Sequence, residues 1–219
     1  MYQTQPRFGA PAISTQGLLG QVLGITATGF LITAVTSYLT IGLGLPYGAG
    51  LIASLIGFGF LIAISGTRNN PGLSLLMFYL FTACEGVGIG PLLGTYIANF
   101  GTGIVTEAAL TTGVGMLGLA AIVYLTSFDY RRLQGIAFGA LLVLVLVGIV
   151  SIFVHFLHPG VFAWATLVIF SLLVLVDFGR IRAGGGGATA IELATSIYLD
   201  AINIFIALLE IFGMRRRSD

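Results

Sequence analysis

The sequence predicts an all-helical integral membrane protein with seven transmembrane helices. Of its 219 residues, 57% are hydrophobic and only 8% are charged, whereas an ordinary soluble domain carries about 25% charged residues. The apolar residues form continuous segments of about 20 residues, the length at which a helix spans a bilayer. These segments lack the alternation expected of barrel strands. Helices are then the conformation that satisfies every backbone hydrogen bond in lipid.

Turn-forming residues separate most of the seven apolar segments. The first segment ends before Gly42-Leu43-Gly44-Leu45-Pro46, and the second ends at residues 66–72. His158-Pro159-Gly160 follows the fifth segment, and a run of four glycines, 184–187, follows the sixth. The predicted spans are Gln16–Ile41, Tyr47–Ser65, Leu73–Ala98, Ile104–Ser127, Leu133–His155, Val161–Phe178 and Ala190–Met214. We therefore expect one transmembrane domain over 16–214, a flexible cytoplasmic N-terminus at 1–15 and a short basic tail at 215–219.

Arginine placement predicts the orientation of the chain. The N-terminus and the loops on its side of the membrane hold six arginines, and the three loops on the other side hold none; the six are Arg7, Arg68, Arg131, Arg132, Arg180 and Arg182. Because cytoplasmic loops carry an excess of basic residues, we expect a cytoplasmic N-terminus. The tail residues 215–217 then lie outside, against the rule, unless one segment is re-entrant. We favour seven full spans.

Composition also bounds the function. A net charge of +1 offers no basic field for nucleic acid. The sequence contains no lysine, which excludes a retinal Schiff base, and Cys84 is its one cysteine, so no intrachain disulfide forms. No Cys/His cluster indicates zinc. We therefore predict no bound cofactor. We also expect that the protein is not an enzyme.

Acidic residues inside the spans are the strongest functional signal, because a carboxylate at the bilayer centre costs about 2.5–3.5 kcal/mol on insertion scales. Glu85 lies within the third span, and Asp200 lies in the middle of the seventh. Helical spacing places Glu192, Ser196, Asp200 and Asn203 on one stripe, which must face protein or water. The seventh helix is therefore predicted to be central.

Asp177 lies at the end of the sixth span, where the residues alone leave two roles open. It can pair with Arg180 or Arg182 at the interface, or it can meet Asp200 on the neighbouring antiparallel helix. Asp200 lies about ten residues into its helix, a rise of about 15 Å. Contact between the two aspartates therefore requires the sixth helix to continue past Phe178 or the seventh to begin late.

Several motifs resemble the transmembrane Bax-inhibitor-motif family, and the similarity extends over nearly the whole chain. Val176-Asp177-Phe178 and Tyr198-Leu199-Asp200-Ala201-Ile202-Asn203-Ile204-Phe205 are similar to its two aspartate motifs. Glu85-Gly86-Val87-Gly88-Ile89-Gly90-Pro91 is similar to its third-span motif. The chain is thereby identified as resembling a bacterial member of the family.

The resemblance implies a fold and a function. It implies six helices, in two three-helix layers, wrapped around a central C-terminal helix, and a pH-sensitive calcium leak across the membrane. It implies that Asp177 and Asp200 form a hydrogen-bonded pair that shares a proton and titrates as a unit. Such a pair would bind calcium only weakly and transiently, because a tight site takes six to eight oxygen ligands.

Four further residues are candidates for gating or pore lining: Arg68, Glu85, Glu192 and Asn203. In a related bacterial member, an arginine at the end of the second span engages the acidic site, and the resemblance extends this role to Arg68. A simple positive-inside anchor is the alternative for that residue. For Glu85 the alternative is a neutral carboxyl group bonded to a neighbouring helix.

Two other functions remain open on the sequence alone. A proton-coupled transporter would use the buried acids to bind protons and a substrate in turn. An intramembrane aspartyl protease also uses two aspartates, but here neither Asp177 nor Asp200 follows the glycine expected of that class. The expected partners are the lipid bilayer, calcium ions and protons, the expected location is a bacterial inner membrane, and the sequence is compatible with a monomer.

Overall fold

The computed structural model describes residues 15–126, 129–154 and 158–218, and these form seven long helices with no strand among them. The helices are α1 (Thr15–Gly42), α2 (Tyr47–Gly66), α3 (Pro71–Phe100), α4 (Gly103–Leu125), α5 (Arg131–Phe153), α6 (Pro159–Arg182) and α7 (Ala190–Ser218), with a short 3-10 turn at Gly185–Gly187. Each helix is long and apolar enough to cross a membrane. The predicted fold class is confirmed. The predicted N-terminus at 1–15 lies almost wholly outside the described residues, as do Arg7 and His155.

Helix ends differ from the predicted span ends for local reasons. α3 begins at Pro71, because Pro at the first helical position is compatible with the helix and Asn70 caps the backbone N–H of Leu73. α6 begins in the same way, with His158 as its cap before Pro159. α7 continues to Ser218, so Arg215–Arg217 belong to the helix and not to a separate tail.

α7 is the central helix of the bundle. In its membrane-spanning window 56% of the residues are buried inside the protein, compared with 11% for α5 and at most 39% for any other helix. α1, α2 and α3 form one group, and α4, α5 and α6 form a second. α7 packs between them against α1, α3, α4 and α6, while α5 lies outside and packs mainly on α6.

The two ends of α7 lie against opposite ends of the bundle. At one end, Gly187 lies in the connection between α6 and α7. Its carbonyl oxygen accepts a hydrogen bond of 3.0 Å from Arg68, which lies in the connection between α2 and α3. At the other end, Arg216 donates to the carbonyl oxygen of Phe100 and contacts Glu107 at 2.9 Å, beside the α3–α4 connection. α7 therefore crosses the whole bundle, as expected for seven full spans without a re-entrant segment.

The four glycines 184–187 make the reversal between α6 and α7. All four have φ between +59° and +85°. Residues with a Cβ atom are strained in this backbone region, whereas glycine adopts it freely. This run is therefore a defined turn, and it fixes where α7 starts relative to the end of α6.

Candidate functional site

The two aspartates predicted as the site are both buried on neighbouring helices. Asp177 on α6 is 5% exposed and Asp200 on α7 is 4% exposed. α6 continues past Phe178 to Arg182, which satisfies the geometric condition that contact with α7 required. Asp177 lies close enough to Asp200 for the two carboxylates to repel each other when both are charged.

Asp177 has polar partners on both helices. Its Oδ1 atom accepts a hydrogen bond of 3.3 Å from Nη1 of Arg180, one helical turn along α6. The Ser196 hydroxyl of α7 also lies close to this carboxyl group. Since Ser196 precedes Asp200 by four residues, Asp177 contacts α7 one turn away from Asp200.

Asp200 has fewer hydrogen-bond partners than Asp177. Its Oδ2 atom is buried and has no hydrogen-bond partner. None of the hydrogen bonds among the described residues joins the two carboxyl groups directly, so the shared proton stays a prediction. A buried carboxylate oxygen without a partner is costly when charged.

Tyr198, which the sequence analysis did not single out, anchors α7 beside Asp200. Its hydroxyl lies 2.6 Å from Oγ1 of Thr33 on α1. The Thr33 hydroxyl has one proton and already faces two carbonyl oxygens, Gly29 at 3.0 Å and Thr82 on α3 at 2.9 Å. We therefore assign the tyrosine as the donor of the short bond, since this direction leaves the Thr33 proton for a carbonyl oxygen. α1, α3 and α7 are thus joined two residues before Asp200, about half a helical turn away.

Glu192 forms a capping box at the start of α7. Its Oε2 atom accepts the backbone N–H of Thr189 at 2.7 Å, and the Thr189 hydroxyl oxygen accepts the N–H of Glu192 at 3.1 Å. The spacing Thr189-x-x-Glu192 is the sequence signature of this cap, and the sequence analysis could have recognised it. The Oε1 atom of Glu192 lies 4.0 Å from Nε of Arg68, so the acidic partner of Arg68 here is Glu192 and neither aspartate.

Among the described residues, no hydrogen bond joins the remaining two candidates to either aspartate. Asn203 donates to the carbonyl oxygen of Leu199 on its own helix at 2.8 Å. Glu85 is partly buried on α3 at the contact with α2, with Oε1 3.7 Å from the position a Cβ would take on Gly57. The structure therefore brings Asp177, Ser196 and Asp200 together but places Glu85 in the α2–α3 interface.

Comparison with known proteins agrees with the motifs. Residues 15–217 match the family model described as Inhibitor of apoptosis-promoting Bax1. A Helicobacter pylori protein (strain J99) is 33% identical over 165 residues, covering 74% of this chain and 70% of its own length. A Vibrio cholerae membrane protein is 27% identical over 210 residues, covering 94% of this chain and 93% of its own. An Escherichia coli K12 protein named modulator of FtsH protease YccA is 27% identical over 209 residues, 94% of both chains.

The family match spans nearly the whole chain and includes α6 and α7, which carry both aspartates. Relatives of similar length are named as membrane proteins, in agreement with seven helices able to span a bilayer. The chain belongs to the Bax-inhibitor family of integral membrane proteins.

Proposed function

We propose that the protein is a calcium leak whose flux responds to pH through Asp177 and Asp200. The observation that carries this proposal is the unpartnered, buried Oδ2 of Asp200 next to a second carboxyl group. Two neighbouring carboxylates cannot both ionise cheaply in a buried site, so the pair gains or loses a proton as a unit. That proton changes the charge beside the central helix, and helix packing then shifts between closed and open arrangements.

The chemistry of the site favours passage of calcium over storage. Calcium prefers oxygen ligands and takes six to eight of them. Among the described residues no group of three or more His, Cys, Asp or Glu side chains comes together to hold a metal. Calcium would therefore meet the two carboxylates and nearby hydroxyl oxygens such as Ser196 only in transit, which is the weak binding that conduction requires.

Arg68 and Glu192 support a gate at the end of the bundle where α7 begins. Arg68 bridges from the α2–α3 connection to Gly187 and Glu192 on either side of α7's first residue. Both side chains are partly exposed, so the ion pair is weak and can open at little cost. Breaking this ion pair would free the first turn of α7, where Glu192 precedes Ser196 by four residues.

Calcium flux into liposomes that contain the purified protein tests this function. The flux is measured with an enclosed calcium dye across a pH series for the wild type, Asp177→Asn and Asp200→Asn. We expect both variants to flatten the pH response, because Asn cannot gain or lose the proton. Glu107→Gln is the control, since it removes an exposed carboxylate at the far end of the bundle. Wild-type pH dependence in both aspartate variants would refute the proposal.

Flux and peptide-cleavage measurements together separate the rival functions. A proton-coupled transporter would move calcium, or another substrate, only together with protons or a second solute. A protease would cleave peptides in detergent and lose that activity in either aspartate variant. The Bax-inhibitor family is not a known enzyme class.

A second candidate function is modulation of a membrane-bound protease, as named for the Escherichia coli relative that aligns over 94% of this chain. Co-purification of the protein with FtsH, followed by a degradation assay with and without the chain, tests it. A leak without any effect on the protease would reject this candidate and leave the first one standing.

A further inference from the structure

A polar cavity lies where the α4–α5 connection meets the end of α6. Its volume is about 70 Å³, several times the roughly 10–15 Å³ that one water molecule occupies on a comparable measure. Three arginines line it, Arg131, Arg180 and Arg182, together with Gln134 and Asp129. The cavity is therefore large enough for a small polyatomic group, and its polar side chains are mostly hydrogen-bond donors. Tyr130, Val176, Gly179 and Ala183 complete its wall.

The charge of the cavity favours an anion. Three arginines and one acidic residue line it, and the Oδ1 atom of Asp129 accepts the backbone N–H of Arg131 at 3.1 Å. Asp177, the ion-pair partner of Arg180, is not a lining residue. Arg182 is fixed by bonds to the carbonyl oxygens of Val123 and Thr126. The first turn of α5 also begins at the cavity wall, so its peptide dipoles add partial positive charge.

We propose that this cavity binds a phosphate group. Guanidinium groups recognise phosphate through paired N–H donors, and three arginines line this cavity together with an amide side chain. The phosphate can belong to the headgroup of an anionic phospholipid, since basic pockets between transmembrane helices on the cytoplasmic side bind such headgroups. It can also be a free phosphate ion.

Arg180 links this cavity to the aspartate site. The same guanidinium that lines the cavity lies 3.3 Å from Asp177 Oδ1. The other groups facing Asp177 are Ser196 and Asp200, both on α7. A bound phosphate therefore draws Arg180 away from Asp177 and leaves that carboxylate less compensated. This coupling rests on the proposed leak function, whereas the binding itself does not.

Phosphate binding is tested without calcium, so its failure is distinguishable from failure of the leak. Thermal unfolding of the detergent-solubilised protein is followed while potassium phosphate replaces potassium chloride at constant ionic strength. A ligand that binds only the folded state raises the midpoint with concentration. In the second arm, the protein is placed in phosphatidylcholine nanodiscs that contain or lack phosphatidylglycerol. Native mass spectrometry then measures how much phosphatidylglycerol stays bound to the protein.

Arg131→Gln and Arg132→Gln form a matched pair, because they remove the same charge from adjacent exposed positions and only Arg131 lines the cavity. We expect Arg131→Gln to weaken binding about tenfold, the loss of one charge-assisted hydrogen bond, and Arg132→Gln to leave it unchanged. A response to phosphate assigns the site to the free ion, and retention of phosphatidylglycerol alone assigns it to a headgroup. An equal loss in both variants, or no response of the wild type in either arm, would overturn the proposal.

Discussion

The Tyr198–Thr33 bond predicts an unequal response to two conservative substitutions. Tyr198 is fully buried, and its hydroxyl donates to Oγ1 of Thr33, whose own proton points to the carbonyl oxygen of Gly29 or Thr82. Tyr198→Phe removes the donor and leaves Thr33 bonded to a carbonyl. Thr33→Val removes the acceptor and leaves the phenol O–H buried without a partner.

The two costs follow from that asymmetry. Phe keeps the ring in its contacts with Phe30, Phe78 and Phe81. Tyr198→Phe then loses one interhelical hydrogen bond, about 0.5–1 kcal/mol in a membrane protein. Thr33→Val strands a buried donor, which costs about 1–3 kcal/mol. We therefore expect Thr33→Val to be the more destabilising change, although Thr33 is a smaller residue than Tyr198.

Unfolding in mixed micelles with increasing denaturing detergent measures both free energies. Thr112→Val is the control, because the hydroxyl of Thr112 is buried and bonds only within its own helix, to the carbonyl oxygen of Ala108 at 2.8 Å. The control should cost less than Thr33→Val. If Tyr198→Phe destabilises the protein more than Thr33→Val, the reasoning from donor and acceptor roles is refuted.

Three further predictions concern packing, capping and the end of α7. Gly86→Ala should destabilise the protein by about 1–3 kcal/mol, because a Cβ there would overlap Thr36 and come 2.5 Å from the Thr33 carbonyl oxygen. Gly115→Ala is the control and should be tolerated, because a Cβ there meets nothing within 4 Å. The thermal unfolding midpoints of the two variants are compared. Thr189→Ala should cost about 1 kcal/mol by removing one side of the capping box, and an unchanged unfolding free energy would contradict that role. Arg216→Gln should cost less than about 1 kcal/mol, with an effect that shrinks in high salt, because its ion pair with Glu107 is partly exposed.

The sequence determined the helices because their signal is local. A continuous apolar stretch of about 20 residues has one stable conformation in lipid, whatever lies next to it. The predicted spans therefore agree with the observed helices within a few residues, apart from the ends of α6 and α7, where each helix continues four residues beyond the predicted boundary. The polar stripe containing Ser196 and Asp200 likewise predicted the central position of α7, because lipid excludes such a stripe.

Side-chain partners were decided only by the tertiary structure. Asp177 bonds Arg180 and lies close to Ser196, while Asp200 keeps an unpartnered oxygen and Arg68 reaches Glu192. Spacing along one helix cannot give these contacts, because they depend on the crossing and axial offset of helices that are distant in sequence. The glycine turn at 184–187 sets that offset for α6 and α7, and it thereby decides which polar atoms of the two helices meet inside the membrane.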